Sequence, residues 1–236
     1  MNLILLFEPD FLNQSKVTIC DPYRLNHLDK VLKAATGSVV KVGKLNGPMG
    51  KGTITSFEKD RCEIEVELTI SPPAPAPVTL VLAMPRPKSF KKSIEAATVM
   101  GVKQIVIIQS WRVEKSYWST PALEEHVLTP LLYRSLEQAV DTVMPSIRVR
   151  RRFKPFVEDE LPQIIGSGNA FVAHPYDSAP LPPTDGSHSV VVIGPEGGFI
   201  PFEVDLLKKS GCTTASLGER IMRVEHAVGA FLGKLL

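Results

Sequence analysis

The sequence predicts a chain in two parts: a small antiparallel β domain over residues 1–71, then an α/β domain over residues 72–236 built on a parallel sheet. Three observations carry this. "SPPAPAPVTLVLAMPRP" brings together Pro72, Pro73, Pro75 and Pro77, which stiffen the chain into an extended spacer and suit neither a helix nor a central strand. Before that spacer, residues 37–70 alternate β-branched and polar side chains between Gly, Asn and Pro turns, as an antiparallel sheet or barrel does. After it, short apolar runs alternate with helical periodicities, the pattern of parallel strands covered on both faces.

Taken in order, "MNLILLFEPDF" holds an apolar run of five residues that stops at Glu8, Pro9 and Asp10. It has no basic leader and no small-residue cleavage site, so it is not read as a signal peptide. "YRLNHLDKVLKAATG" predicts a short amphipathic helix with Leu25, Leu28 and Leu32 on one face and Gly37 as its stop. "GPMGKGT" imitates a phosphate loop, but that motif needs a glycine where Leu45 stands, and a strand pattern follows instead of a helix. It is set aside.

In the second part "VTLVLAM", "QIVIIQS", "SIRVR", "AFVAH", "SVVVIG" and "TTASLG" read as buried strands, with helices beginning near Lys88, Pro121, Val157, Pro201 and Val224. The second of these helices is specified most fully. Thr120 caps it, Pro121 suits its first turn, Glu124 and Glu125 favour its positive end, and Leu123, Val127 and Leu131 recur every four residues. Pro130 is a point where it can kink. The last helix buries Val224, Val228, Phe231 and Leu235 as its apolar stripe.

Hydrophobic residues make up 44% and charged residues 22%, which excludes a disordered chain. No stretch approaches the roughly 20 apolar residues of a membrane span. Cys20, Cys62 and Cys212 are odd in number and scattered, matching neither a disulfide framework nor a zinc site, so they read as reduced thiols in a cytoplasmic protein without a metal. Net charge is only +2, yet "RPKSFKK" (86–92) and "RVRRRFK" (148–154) hold basic residues and no acidic ones. Either run suits phosphates, and either also suits a solvated loop end.

"VVVIGPEGGFIPFEV" (190–204) leaves a strand through a glycine-rich turn. In an α/β sheet ligands sit off the carboxyl ends of the strands, where this turn falls. Gly194, Gly197 and Gly198 let backbone approach a ligand that side chains would exclude. The turn carries no lysine and has Glu196 at its centre, which favours an uncharged or cationic ligand over a phosphate; a turn that only starts the next helix is the plainer alternative. "SLGERIMRVEHAVGAFLGKLL" repeats the arrangement, a strand end and a glycine turn followed by Glu219, Arg220, Arg223 and Glu225 against an apolar helix. Arg223 and Glu225 also suit a plain ion pair.

"IGPEGGF", followed some twenty residues later by "LGERIMRVEHA", resembles the paired C-terminal motifs of the RsmE family, SPOUT-class methyltransferases that modify N3 of a uridine in 16S ribosomal RNA. The first motif matches without a gap; in the second, Met222 stands for leucine and His226 for threonine. "HLDKVLKAATG", "MGV" (100–102) and "EQ" (137–138) extend the resemblance over nearly the whole chain. The chain departs from the family at Ala96 and Val99, where a lysine and a glutamate are usual, and around Asp141, where an arginine is usual.

The resemblance implies a PUA-like RNA-binding β-barrel at the N-terminus and an α/β C-terminal domain whose end forms a trefoil knot. It implies S-adenosylmethionine as cofactor, bound by Ala173 and His174, by Ile193, Gly194, Pro195, Glu196, Gly197 and Gly198, and by Leu217, Gly218, Ile221, Met222 and Arg223. The cationic sulfonium would suit a turn with a glutamate in place of a lysine. Arg223 is the candidate for holding charge on the uracil oxygens, and Glu225 for orienting Arg223 or shuttling the proton. Small-subunit ribosomal RNA is the expected partner and a homodimer the expected assembly. A divergent enzyme acting at another RNA site, and a catalytically silent RNA-binding protein, are the alternative readings.

Overall fold

The structure is a computed structural model that describes residues 2–176 and 178–236. The chain divides into two units, Met1–Ala74 with Tyr133–Met144, and Pro75–Leu132 with Pro145–Leu236. The sequence reading left residues 133–144 in the second part.

The first unit is a five-stranded sheet of β1 (Ile4–Leu6), β2 (Lys16–Ile19), β3 (Val39–Lys44), β4 (Met49–Phe57) and β5 (Cys62–Ile70), in the order β1-β3-β4-β5-β2. Only the β1–β3 pair is parallel. β1, absent from the sequence reading, explains the apolar start. Successive side chains of a strand point to opposite faces. Here Ile4 and Leu6 enter the sheet core with Val42, Ile54 and Ile64, while Leu3 and Leu5 enter a second cluster with Met49 and Leu136. A strand buried on both faces needs an unbroken apolar run.

The glycines of "GPMGKG" serve strand packing. A Cβ on Gly50 would lie 1.8 Å from the Glu67 carbonyl oxygen, and one on Gly52 would lie 2.6 Å from Ile64 Cγ2. The predicted helix is shorter than its pattern: α1 (Pro22–Asn26) runs into a π-turn over His27–Val31, and Lys33 stands at φ +50°. Leu25 and Leu28 are buried, but Leu32 is 41% exposed. The wider π-turn breaks the helical period and carries Leu32 off the apolar face. Arg24 anchors this region through a bidentate pair with Asp10, Nη1–Oδ2 at 2.6 Å and Nη2–Oδ1 at 3.0 Å, and a bond to the Leu5 carbonyl, all buried.

The second unit is an all-parallel, seven-stranded sheet. Its strands are β6 (Val78–Ala83), β7 (Gln104–Ile108), β8 (Ser146–Arg150), β9 (Asn169–Ala173), β10 (Ala179–Pro180), β11 (Ser189–Ile193) and β12 (Thr213–Ser216), ordered β10-β12-β9-β11-β6-β7-β8. All of β6 and β11 is buried, as expected at the centre of a parallel sheet. The helices are α2 (Pro87–Val99), α3 (Glu125–Ala139, whose residues from Tyr133 on belong to the first unit), α4 (Phe153–Pro155), α5 (Leu161–Ile165), α6 (Pro201–Lys209) and α7 (Val224–Leu235).

Two of the helix expectations are corrected. Thr120 Oγ1 does accept the Ala122 amide, but it caps a 3-10 turn, Pro121–Leu123; Glu124 is extended and α3 starts at Glu125. The buried positions of α3 are therefore Leu132, Ser135, Leu136 and Glu137, while Leu123, Val127 and Leu131 are half-buried. The helix placed near Val157 begins at Phe153 and passes through a π-turn, Phe156–Glu160, before α5. Among the described residues no helix is long and apolar enough to cross a membrane. The three cysteines are free thiols, and burial pushes those of Cys62 and Cys212 up to about 11 and about 12.

Candidate cofactor cavity and its rim

In a parallel sheet every strand delivers its carboxyl end to the same edge. From β6 the chain builds outward through β7 and β8, then returns to place β11, β9, β12 and β10 on the other side, so the order reverses beside β6. A cavity of about 740 Å³ lies to one side of that reversal, beyond the ends of β9, β11 and β12, within the range of small-molecule sites.

Three loops wall it. The end of β9 supplies Ala173 and then His174; the end of β11 supplies Ile193 and then Gly194, Pro195, Glu196, Gly197 and Gly198; after β12 come Leu217, Gly218, Ile221, Met222 and Arg223. The structure brings together every residue that the resemblance named for a cofactor. Val204 of α6 with Ala227 and Phe231 of α7 add apolar surface, and Asp205 and Lys208 add charge.

The turn after β11 is closed by the Gly198 amide donating to the Pro195 carbonyl at 2.8 Å, with Gly198 at φ +70°. Gly218 stands at φ +112° in the loop after β12. Side-chain-bearing residues rarely adopt such conformations. Gly194 is held for another reason: a Cβ there would lie 3.2–3.3 Å from the Phe199 ring and amide.

Glu196 both lines the cavity and ties its turn to a neighbouring helix. Its Oε1 accepts the Arg86 amide at 3.0 Å, at the N-cap of α2, so the carboxylate tethers the turn to that helix end. A negative group at a helix N-terminus is favourable on its own account. The Arg86 guanidinium is pushed up, first by its bond to the Tyr117 hydroxyl and then by the charges of Tyr117 and Glu196.

Arg223 is exposed on the cavity rim and is the N-cap residue of α7. Glu225, two residues on, does not line the cavity. Its side chain is 9% exposed and faces α2, with Oε1 3.7 Å from Lys92 Nζ and a hydrogen bond to Ser89. The hydrogen bond from its own backbone amide leads in holding its carboxyl below the usual range, with Ser89 and Lys92 contributing, while partial burial opposes. Its Oε1 thus faces the α2–α7 contact, while its Oε2 is buried without a hydrogen-bond partner among the described residues. Among the family departures, Val99 is exposed on α2, Ala96 is half-buried, and Asp141 is buried with its Oδ1 accepting the Val143 amide at 2.9 Å.

Sequence reading missed Arg112. It lines the cavity, and its Nη1 donates to the Gly197 carbonyl. The available signal was its place just past the carboxyl end of β7. The basic runs are partly committed: Arg150 pairs with Glu160 at 2.7 Å, Arg151 lies 5.0 Å over the Trp118 ring, and Lys154 is 3.8 Å from Glu158. Among the described residues no cluster of metal-ligating side chains occurs.

The family model for the RNA methyltransferase domain matches residues 72–236. Over 98% of its length the chain is 26% identical to the ribosomal RNA small subunit methyltransferase E of Treponema pallidum (strain Nichols), of which 88% is covered. It is also 26% identical to the protein of that name from Mesomycoplasma hyopneumoniae (strain 232), over 64% of this chain and 65% of that one. Its fold is similar to that of the Neisseria gonorrhoeae ribosomal RNA small subunit methyltransferase E bound to S-adenosyl methionine, with a TM-score of 0.78, 19% identity, and 98% and 95% of the two chains covered. At that identity the structural likeness carries the fold alone. Family model, curated relatives and cavity-forming loops agree: the chain belongs to the RNA methyltransferase family, as an RsmE-type member.

Proposed function

We propose that this protein uses S-adenosylmethionine to methylate N3 of a uridine in 16S ribosomal RNA. The observation that carries the reading is the convergence of the 173–174, 193–198 and 217–223 segments on one cavity at the carboxyl edge of the sheet. The fit to the cofactor rests on apolar surface from Val204, Ala227 and Phe231, on glycines held where a Cβ would strain or crowd the loops, and on the absence of lysine from the 194–198 turn. When bound, the cofactor supplies a methyl group activated on a sulfonium sulfur. Loops 193–198 and 217–223 would orient it, which can account for much of the barrier reduction by itself. Arg223 would direct a permanent positive charge at the uracil oxygen that gains charge as N3 loses its proton. Glu225 would position Arg223 indirectly, by fixing the first turn of α7 against α2.

The proposal extends to architecture: residues 1–71 as a PUA-like RNA-binding barrel, residues 72–236 as a SPOUT domain, a trefoil knot through the loops before α7, and a homodimer. Exposed apolar side chains at Phe202 and Ile221 support the dimer, which light scattering at micromolar concentration would detect. The activity is tested by incubating small ribosomal subunits and naked ribosomal RNA with methyl-labelled cofactor and identifying the labelled nucleoside. Label in 3-methyluridine is the expected result. Label in another nucleoside would point to the divergent enzyme, and no label despite cofactor binding would point to the silent RNA-binding protein.

A further inference from the structure

Tryptophan is the largest apolar side chain and is highly buried on average. Trp111 is 79% exposed, the most exposed of the large hydrophobic residues. Its backbone is nonetheless fixed. The Trp111 amide donates to Glu203 Oε1 at 2.7 Å, and the same carboxylate, 3% exposed, accepts the Ile200 amide through Oε2 at 3.0 Å, at the N-cap of α6. One buried group therefore ties the Trp111 loop to the segment that continues from the 194–198 turn. The next residue, Arg112, lines the cavity and bonds to the Gly197 carbonyl. An indole in water is thus held one residue from the cavity rim.

The aromatic rings that follow on the same stretch of chain, Tyr117 and Trp118, indicate what would cover it. Arg86 donates to the Tyr117 hydroxyl at 3.3 Å, and Arg151 lies over Trp118. Arginines interleaved with aromatic rings, on a loop beside two basic runs, match the needs of an unpaired polynucleotide strand: cations for phosphates and flat faces for bases. An apolar protein surface would leave those guanidinium groups poorly solvated.

We propose that Trp111 is a stacking platform for an unpaired nucleobase of the RNA substrate, held beside the cofactor cavity by Glu203. The assignment rests on the RNA methyltransferase reading and adds to it a contact outside the cavity. Base–aromatic stacking predicts that Trp111→Ala raises KM for RNA about 5- to 100-fold. It should leave cofactor affinity and the melting temperature near wild type, and Trp111→Tyr should restore most of the loss. In fluorescence, a single-stranded uridine-containing oligonucleotide should quench wild-type emission, the same sequence annealed to its complement should quench it far less, and Trp111→Phe should lose the difference. Unchanged KM in Trp111→Ala, or equal quenching in Trp111→Phe, would overturn the assignment. So would an emission that follows protein concentration but not RNA, which would mean a second copy covers the indole. If quenching stands while wild-type protein labels no ribosomal RNA, the proposed activity fails and the platform survives. If labelling stands with wild-type kinetics in Trp111→Ala, the reverse holds.

Discussion

Replacing Gly198 by alanine puts a Cβ on a backbone held at φ +70°, in space where no atom lies within 4 Å. The cost is conformational alone, about 1–2 kcal/mol for an L-residue in the left-handed region. For a chain of this length that lowers Tm by about 2–8 °C. If the strain is relieved by opening the turn, the Gly198–Pro195 bond goes with it and cofactor binding weakens roughly 5- to 30-fold. Gly197→Ala is the internal control in the same turn. Its Cβ would meet Arg112 Cδ at 3.1 Å and Arg112 Cβ at 3.3 Å; the Cδ can swing away and the Cβ contact asks for a shift of a few tenths of an ångström, so the expected cost is about 1 kcal/mol or less. Gly198→Asn should fall between, because asparagine tolerates the left-handed region. Thermal melts and calorimetric titration with S-adenosylmethionine read both effects. A Gly198→Ala protein with wild-type Tm and affinity, or a Gly197→Ala protein harmed more than Gly198→Ala, would refute the account of this turn.

Three further outcomes are expected. Arg223→Ala should lower kcat and kcat/KM for RNA together by about 100-fold or more while cofactor affinity changes little, as steady-state kinetics beside calorimetry would report. Asp10→Ala, which removes the bidentate partner of the buried Arg24 guanidinium and leaves it Asp21 at 3.5 Å and the Leu5 carbonyl, should cost about 3 kcal/mol in urea denaturation, and replacing both partners by apolar residues should cost less than that. Burial raises the Glu137 carboxyl from 4.5 to about 7, against the opposing Leu5 amide bond and Arg24 charge. The folded state then binds the proton more tightly than the unfolded chain, so this group makes stability fall as pH rises from about 4.5 to about 7, by about 3 kcal/mol in all. Glu137→Gln keeps an acceptor for the Leu5 amide and should flatten that decline; an identical pH profile in the variant would count against the assignment.

Chemical punctuation made the cavity loops legible. Gly194, Pro195, Gly198 and Gly218 stand just past short apolar strands, and strand ends are where a parallel sheet holds ligands. The helix starts at Pro201 and Val224 were legible for the same local reason. What escaped notice depends on contacts between distant residues. Glu196 meets the Arg86 amide 110 positions away, and Glu203 meets the Trp111 amide 92 positions away, so neither role leaves a local pattern. β1 escaped because it is three residues long and its partner, β3, lies 38 positions away, so nothing local marks the pairing. The end of α1 and the start and stripe of α3 shifted because a π-turn and a 3-10 turn each changed the helical period.

The second apolar cluster of the first unit bears on the order in which the protein is made. Leu3, Leu5 and Met49 emerge early from the ribosome, but Leu136, which covers them, is synthesised many residues later. At roughly 5–20 residues per second this leaves one apolar face of the new sheet bare for several seconds. A fragment ending at Ala74 would keep it bare permanently, so the first unit expressed alone should aggregate unless residues 133–144 are supplied with it.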